Sequence, residues 1–289
     1  MTATVPDQAS LEGVERVAPA RASAQRSPLE RLGPFAVFGL FIGLWYLTSL
    51  WAIEAVFNKP KFLVPPPHEV LYESYINDGD IRLEMLVGVW RSAQVAFIGL
   101  SIAIVLGMLL AVLMSRARWI ERSLFPYAVV LQATPILAFV PLISSVFGYN
   151  RPSRVFVCVV ISLFPIIANT LFGLLSADAG QHDLFTLHGA GRFKRLLKLQ
   201  LPAAMPSIFT GFRISAGLSV IGAVVGDFFF RQGEAGIGRL IDKYRARDDN
   251  PEMYGAVILA GVLGVTVFWL FGQLNQKAVG RWHQSTGQS

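Results

Sequence analysis

Apolar and polar positions alternate along this chain in long blocks. Five blocks are uncharged and long enough to cross a bilayer: Phe35–Ile53 (19 residues), Ser92–Ser115 (24), Ser123–Asn150 (28), Val155–Ala177 (23) and Met253–Gln276 (24). A spanning helix needs about 20 such residues. A sixth span is predicted over Pro206–Phe230, although only 13 uncharged residues separate Arg213 from Asp227. Its two charges then lie towards the ends, where a long arginine side chain reaches the interface. The pattern predicts an all-α membrane protein of six spans.

The polar links carry their own patterns. In PKFLVPPPHEV the prolines exclude helix before Pro67. A short helix is predicted over His68–Ile76, a turn at Asn77–Asp80, and an amphipathic helix, Ile81–Arg91, leading into the second span. Arg116, Arg118 and Arg122 crowd the link between spans two and three, which the positive-inside bias places in the cytoplasm with both termini. In Arg231–Glu252, residues Ile237, Leu240, Ile241 and Tyr244 share one helical face, predicted to cover the bundle's outer mouth or lie on the membrane.

Composition narrows the function. Only 15% of the 289 residues are charged and 53% are hydrophobic, against about a quarter charged in soluble domains. The net charge of +6 follows from basic span flanks, because no basic stripe is interleaved with exposed aromatics as nucleic-acid binding requires. Trp45, Trp51, Trp119 and Trp282 sit near span ends, as interfacial belts do. The lone Cys158 offers no disulfide within the chain. There is no zinc or calcium motif and no GxxxxGK[ST] phosphate loop. The four histidines fall outside the spans, leaving a membrane-embedded enzyme without acid–base groups. An ion-coupled carrier would need ionisable groups deep in its spans, and Arg213 alone is arguable.

One link stands out. Asp183–Pro202, DLFTLHGAGRFKRLLKLQLP, is basic and amphipathic between two apolar blocks. It is predicted to form a short helix from Asp183 to His188, a bend at Gly189 and Gly191, and a basic helix from Arg192 to Gln200, closed by Leu201-Pro202. Asp183 would then suit the helix macrodipole. Phe185, Leu187, Phe193, Leu196 and Leu197 are apolar anchors for a groove on another protein. The alternative is a solvated basic loop near lipid phosphate.

The insert resembles the cytoplasmic coupling loop of ABC-importer permeases. Asp183 stands six residues before Gly189, and Pro202, preceded by Leu201, thirteen after it. The family's two alanines are replaced here by Leu184 and Phe185, and Leu199 takes the usual isoleucine position. PAAMPSIFTGFRISAGLSVIGAVVGDFF is similar to the fifth span of the nitrate, sulfonate and taurine branch; Pro65 with Pro67, and Gly236–Ile241, match two further features over about residues 60–275. The resemblance implies a permease without bond chemistry or cofactor of its own. It also implies two partner ATPases that bind ATP, a substrate-binding protein outside, and a second permease copy or a similar chain. The coupling residues implied are Asp183, Phe185, Leu187, Gly189, Arg192, Phe193, Leu197, Leu201 and Pro202. The implied cargo is nitrate-, sulfonate- or taurine-like, or a thiamine-precursor pyrimidine or riboflavin.

Polar residues within the spans are candidates for the path: Gln132, Thr134, Asn169, Ser215, Ser219 and Asp227. Interhelical hydrogen bonding is the alternative for Gln132 and Asn169, and helix packing for the small-residue row Gly211, Ser215, Ser219, Gly222 and Gly226. Asp227 would gate, meet the binding protein or mark the interface. The expected organisation is a disordered cytoplasmic tail over 1–34, a permease domain over 35–276 with its coupling loop at 178–205, and a cytoplasmic tail over 277–289.

Overall fold

The computed structural model describes the backbone of residues 28–283 and the side chains of residues 32–277. The expected tails and Trp282 therefore fall largely outside the described residues, although helix already begins at Pro28. Every regular element among the described residues is helical. The order is α1 (Pro28–Leu47, extended to Ala55 by a π-type turn), α2 (Pro67–Tyr72), α3 (Gly79–Ser115), α4 (Arg118–Ala133), α5 (Val140–Phe147), α6 (Arg151–Leu175), α7 (Ala179–Leu187), α8 (Arg192–Phe229), α9 (Ile237–Arg247) and α10 (Asn250–His283).

Five helices are long and apolar enough to cross a membrane: α1, α3, α6, α8 and α10. The third predicted span is not one rod. It is the pair α4 and α5, joined through a 3₁₀ turn at Ile136–Phe139 and bent by 91°. Thr134-Pro135 causes the break, because a residue before proline is pushed out of the helical region; Thr134 has ψ 128°. The bent pair still crosses the bundle. Arg151, just beyond it, donates from Nη2 to Gln94 Oε1 at 3.2 Å. Gln94 lies 21 residues, about 32 Å, up α3 from Ser115, beside which the pair begins.

Helix α6 forms the centre, with α3 and α8 against it. Small residues let these backbones approach. A Cβ at Gly222 would lie 3.0 Å from Cys158 Cα, one at Gly211 3.0 Å from the Pro165 carbonyl, and one at Gly226 3.2 Å from Arg154 Cα. Ser215 and Ser162 each donate to the other's carbonyl, at 2.7 and 3.2 Å. The small-residue row of α8 is thus the α6–α8 seam. Helix α10 runs antiparallel on the far side of α8. Helix α1 is peripheral, joined by Trp45 Nε1 to the Pro65 carbonyl at 3.1 Å and by Tyr46 to His68.

The predicted turn at Asn77–Asp80 is instead a helix start: Asp78 caps α3 by accepting from the Asp80 N–H at 2.8 Å. The amphipathic face of α9 packs inside the bundle. Ile237, Leu240, Ile241 and Tyr244 are buried with Met85 of α3 and Ala256 of α10.

Candidate functional site

The Asp183–Pro202 insert forms an elbow, a jointed piece with two differences from expectation. Its first helix, α7, begins at Ala179, four residues before Asp183. The capping and dipole role falls to Asp178, whose carboxylate accepts the Gly180 N–H at 2.7 Å. Asp183 lies inside the helix, exposed. At the far end the Gly189 N–H reaches the Thr186 carbonyl and the Ala190 N–H reaches the Phe185 carbonyl, both at 2.9 Å. This paired stop needs a left-handed residue, and Gly189 supplies it with φ +61°. Arg195 Nη2 donates to Thr186 Oγ1 at 2.9 Å and ties the two limbs together.

Leu201-Pro202 does not close the second limb. Helix runs unbroken from Arg192 to Phe229, so the elbow and the fifth span are one element. Proline lacks an N–H and crowds the preceding turn. A π-type turn at Leu196–Gln200, with the Leu201 N–H reaching back to the Leu196 carbonyl, widens the ladder just ahead of Pro202. Inward, Leu196 and Leu199 are buried; Leu196 packs with Leu174, Ala204 and Ile208. Outward, Leu187 is 83% exposed and Phe193 67%, with Leu184 and Leu197 also exposed, and Arg192 is exposed among them. Phe185 is half-buried.

The opposite end of α8 is locked. Arg154 Nη1 meets Asp227 Oδ1 at 3.0 Å, and both side chains are almost fully buried. The rest of the guanidinium donates to the carbonyls of Phe230 (2.9 Å), Glu234 (2.8 Å) and Gln232 (2.7 Å). Ser92 donates to Asp227 Oδ2 at 2.5 Å and accepts the Ile237 N–H at 2.9 Å. The staple therefore joins α3, α6, α8 and the loop into α9. It also gives the Gly-Ile-Gly stretch a cause. A Cβ at Gly236 would collide with the Asp227 carboxylate, and one at Gly238 with the Val224 carbonyl. Asp227 was singled out in the sequence, whereas Arg154 and Ser92 were not. Beside the staple, Lys243 Nζ meets Glu84 at 2.5 Å and Tyr244 donates to Glu84 at 2.9 Å. Burial pushes the Tyr244 phenol up, and the bond to Glu84 adds to that.

Of the remaining path candidates, Gln132 and Thr134 come together. They line a cavity of about 250 Å³ with Leu131, Ile161, Pro165 and Leu218. Thr134 also lines a neighbouring apolar cavity of about 520 Å³, between Tyr127, Phe139, Phe147 and Phe156. Thr134 Oγ1 itself donates to the Val130 carbonyl at 2.7 Å. Asn169 Nδ2 bonds within its own helix to the Pro165 carbonyl at 2.8 Å, and Ser215 and Ser219 are buried.

Comparison with known proteins gives a consistent result. Residues 103–282 match the sequence profile of a family described as the inner membrane component of binding-protein-dependent transport systems. The formylaminopyrimidine transport permease protein ThiX of Halalkalibacterium halodurans is 31% identical over 77% of this chain and 87% of its own. The nitrate import permease protein NrtB of Leptolyngbya laminosa is 27% identical over 89% and 95%. The riboflavin transport system permease protein RibX of Chloroflexus aurantiacus is 34% identical over 58% and 62%. Among solved structures, an inward-facing form of the MetNI methionine ABC transporter superimposes with a TM-score of 0.61 at 17% identity, covering 69% of this chain and 98% of that one. That likeness carries the fold.

Proposed function

The chain belongs to the family of inner membrane components of binding-protein-dependent transport systems, an importer permease rather than an enzyme, and on that premise we propose how it works. The elbow α7–Gly189–α8 is the seat of a partner ATPase, and α8 is the lever that carries the ATPase's closure into the membrane. One observation supports this above the others: the exposed apolar limb at Phe193 and Leu197 is continuous with the fifth span. A push on that limb needs no flexible joint to reach the bundle. Asp183, Phe185, Leu187, Arg192, Leu201 and Pro202 complete the seat, with the apolar side chains entering a groove and Arg192 at its rim.

In this reading the Arg116–Arg122 link, the elbow and both termini face the cytoplasm, and the Arg154–Asp227 staple faces outward. Two permease copies enclose the path, with an ATPase below each and a binding protein above. Gln132, Thr134 and Asn169 lie towards the path, while Ser215, Ser219 and Asp227 hold its walls in register. The permease does no bond chemistry and binds no cofactor; ATP sits on the partner. Transport alternates because ATP-bound and ATP-free partners favour different states of the lever.

The cargo is a small solute handed over by the binding protein. Nitrate-, sulfonate- or taurine-like solutes are the first reading. The cavities at Gln132 and Thr134 have no charged residue in their walls, which favours a near-neutral organic solute such as a pyrimidine or flavin precursor. Gentle purification of the full complex tests the assignment. An ATPase should co-purify with the wild type and be lost on Leu187→Asp with Phe193→Asp. Recovery of the permease without a hydrolase in both cases would contradict it. Ligand screening on the co-purified binding protein then names the cargo.

A further inference from the structure

Within Pro206–Phe230 the charges are Arg213 and Asp227, and Arg213 takes no part in the staple or the elbow. It lies on α8, on the face turned towards α10 and away from the α6 seam. Its guanidinium carbon sits 4.1 Å from the centre of the Phe268 ring. Its Nε is buried and has no hydrogen-bond partner. Arg213 has no ion-pair partner among the described residues. Neither helix supplies an acid nearby. Met253–Gln276 is uncharged, and the nearest acid along α8, Asp227, is 14 residues or about 21 Å away.

Space is kept open for this cation. Gly272 faces it, and a Cβ there would already touch Nε at 3.4 Å and Cζ at 3.5 Å. A larger side chain would fill the approach. Beyond Gly272 the outer side of α10 is free, with Trp269 and Leu274 exposed. Helical side chains lean towards the helix N-terminus, so Arg213 leans towards the elbow end. Lys277, five residues past Gly272, lies about 7.5 Å further towards that same side. A half-buried cation at this depth is costly unless an anion meets it. The aromatic face of Phe268 offsets part of that cost and leaves the donors free.

We propose that Arg213, Phe268 and Gly272 form an oxyanion site in the α8–α10 groove that takes a phosphate group, supplied by an anionic phospholipid of the elbow-side leaflet. Planar guanidinium donors suit phosphate oxygens, and grooves between spans near the cytoplasmic face suit lipid headgroups. The leaflet assignment rests on the orientation given above. The site lies on the lever itself, so an occupied site would bias α8 against α10 from the lipid side.

The test uses the full-length permease in detergent, read by native mass spectrometry. Phosphatidylglycerol is offered against phosphatidylcholine, and inorganic phosphate in excess forms a separate arm. Wild type should retain phosphatidylglycerol roughly fivefold over phosphatidylcholine, as expected for one basic contact. Arg213→Gln should fall to parity and Arg213→Lys should keep most of the preference. Gly272→Leu, which leaves the charge but fills its approach, should also fall to parity and decides the matter if Arg213→Gln does not fold. If inorganic phosphate raises the melting temperature of the wild type but not of Arg213→Gln, a soluble anion occupies the site in place of a lipid. A preference that persists in both Arg213→Gln and Gly272→Leu would overturn the proposal, as would a wild type with neither lipid preference nor phosphate effect. None of these readouts needs the ATPase, so a negative result leaves the import reading standing, and loss of the ATPase would leave the lipid result standing.

Discussion

The two ends of α8 are opposites. At the Asp227 end a buried carboxylate meets Arg154 and Ser92, and Arg154 donates in turn to a ring of loop carbonyls, so the groups are paired within the chain. At the Arg192 end apolar side chains stand in solvent, and Gly189 turns the backbone with nothing within 4 Å of the place where a Cβ would sit. One end is finished by the fold, and the other, in the lever reading proposed above, is left for a partner. A lever needs that asymmetry: a pivot that holds its register and a handle that something else can grip. The pivot should therefore respond to substitution through stability, and the handle through assembly and coupling.

The largest effect is expected at the pivot. Asp227→Ala leaves Arg154 buried without its counter-charge and should cost about 3–5 kcal/mol. Thermal unfolding in detergent would register this as a large drop in melting temperature or a failure to accumulate. Arg154→Met combined with Asp227→Leu removes both charges and should recover part of that loss. A single-site variant as stable as the wild type would break the comparison at this end. Next in size is the handle pair, Leu187→Asp with Phe193→Asp. Exposed anchors of this kind are worth about 2 kcal/mol or more each in a well-fitted groove. Affinity for the ATPase should fall by at least tenfold while the melting temperature of the isolated permease barely moves.

Gly236→Ala comes third. Its new Cβ would press on the Asp227 carboxylate, and overpacking of this type costs about 1–3 kcal/mol. The loss should appear as lower stability with normal ATPase binding, the mirror image of the handle variant. Smallest is Gly189→Val. A side chain in the left-handed region costs about 1–2 kcal/mol locally, and no neighbour stands in its way. Its melting temperature should fall by only a few degrees, with the larger change in coupling.

Much of this was legible in the sequence because it depends on local signals. Apolar run lengths predicted four of the five straight spans and the bent pair as a fifth, α8 followed from extending Pro206–Phe230 past its charges, and the Gly189–Pro202 spacing predicted the elbow. The face of α9 could be read from Ile237, Leu240, Ile241 and Tyr244. Non-local effects were not legible. Pro126, Pro165 and Pro206 are all carried inside helices, whereas Pro135 ends one, and a list of prolines does not distinguish them. The difference lies in Thr134 taking an extended backbone, where the chain turns by 91°. The end of the elbow was misplaced for a related reason. Pro202 reads as a stop, yet a widened turn ahead of it lets the helix continue. Arg154 and Asp227 lie 73 positions apart, so nothing local in the sequence marks Arg154 as the partner of Asp227. The glycines at 236 and 238 matched a pattern, but their reason became visible only with the carboxylate beside them.

The central claim is that force enters through the elbow and travels up α8. The most direct measurement is the ratio of solute taken up to ATP hydrolysed, in liposomes holding the complete complex with its binding protein, for the wild type and Gly189→Val. The lever account predicts that hydrolysis continues while uptake per ATP falls several-fold, with the melting temperature lowered by no more than the few degrees the strained turn costs. An unchanged ratio in a variant that carries the strained turn would contradict it.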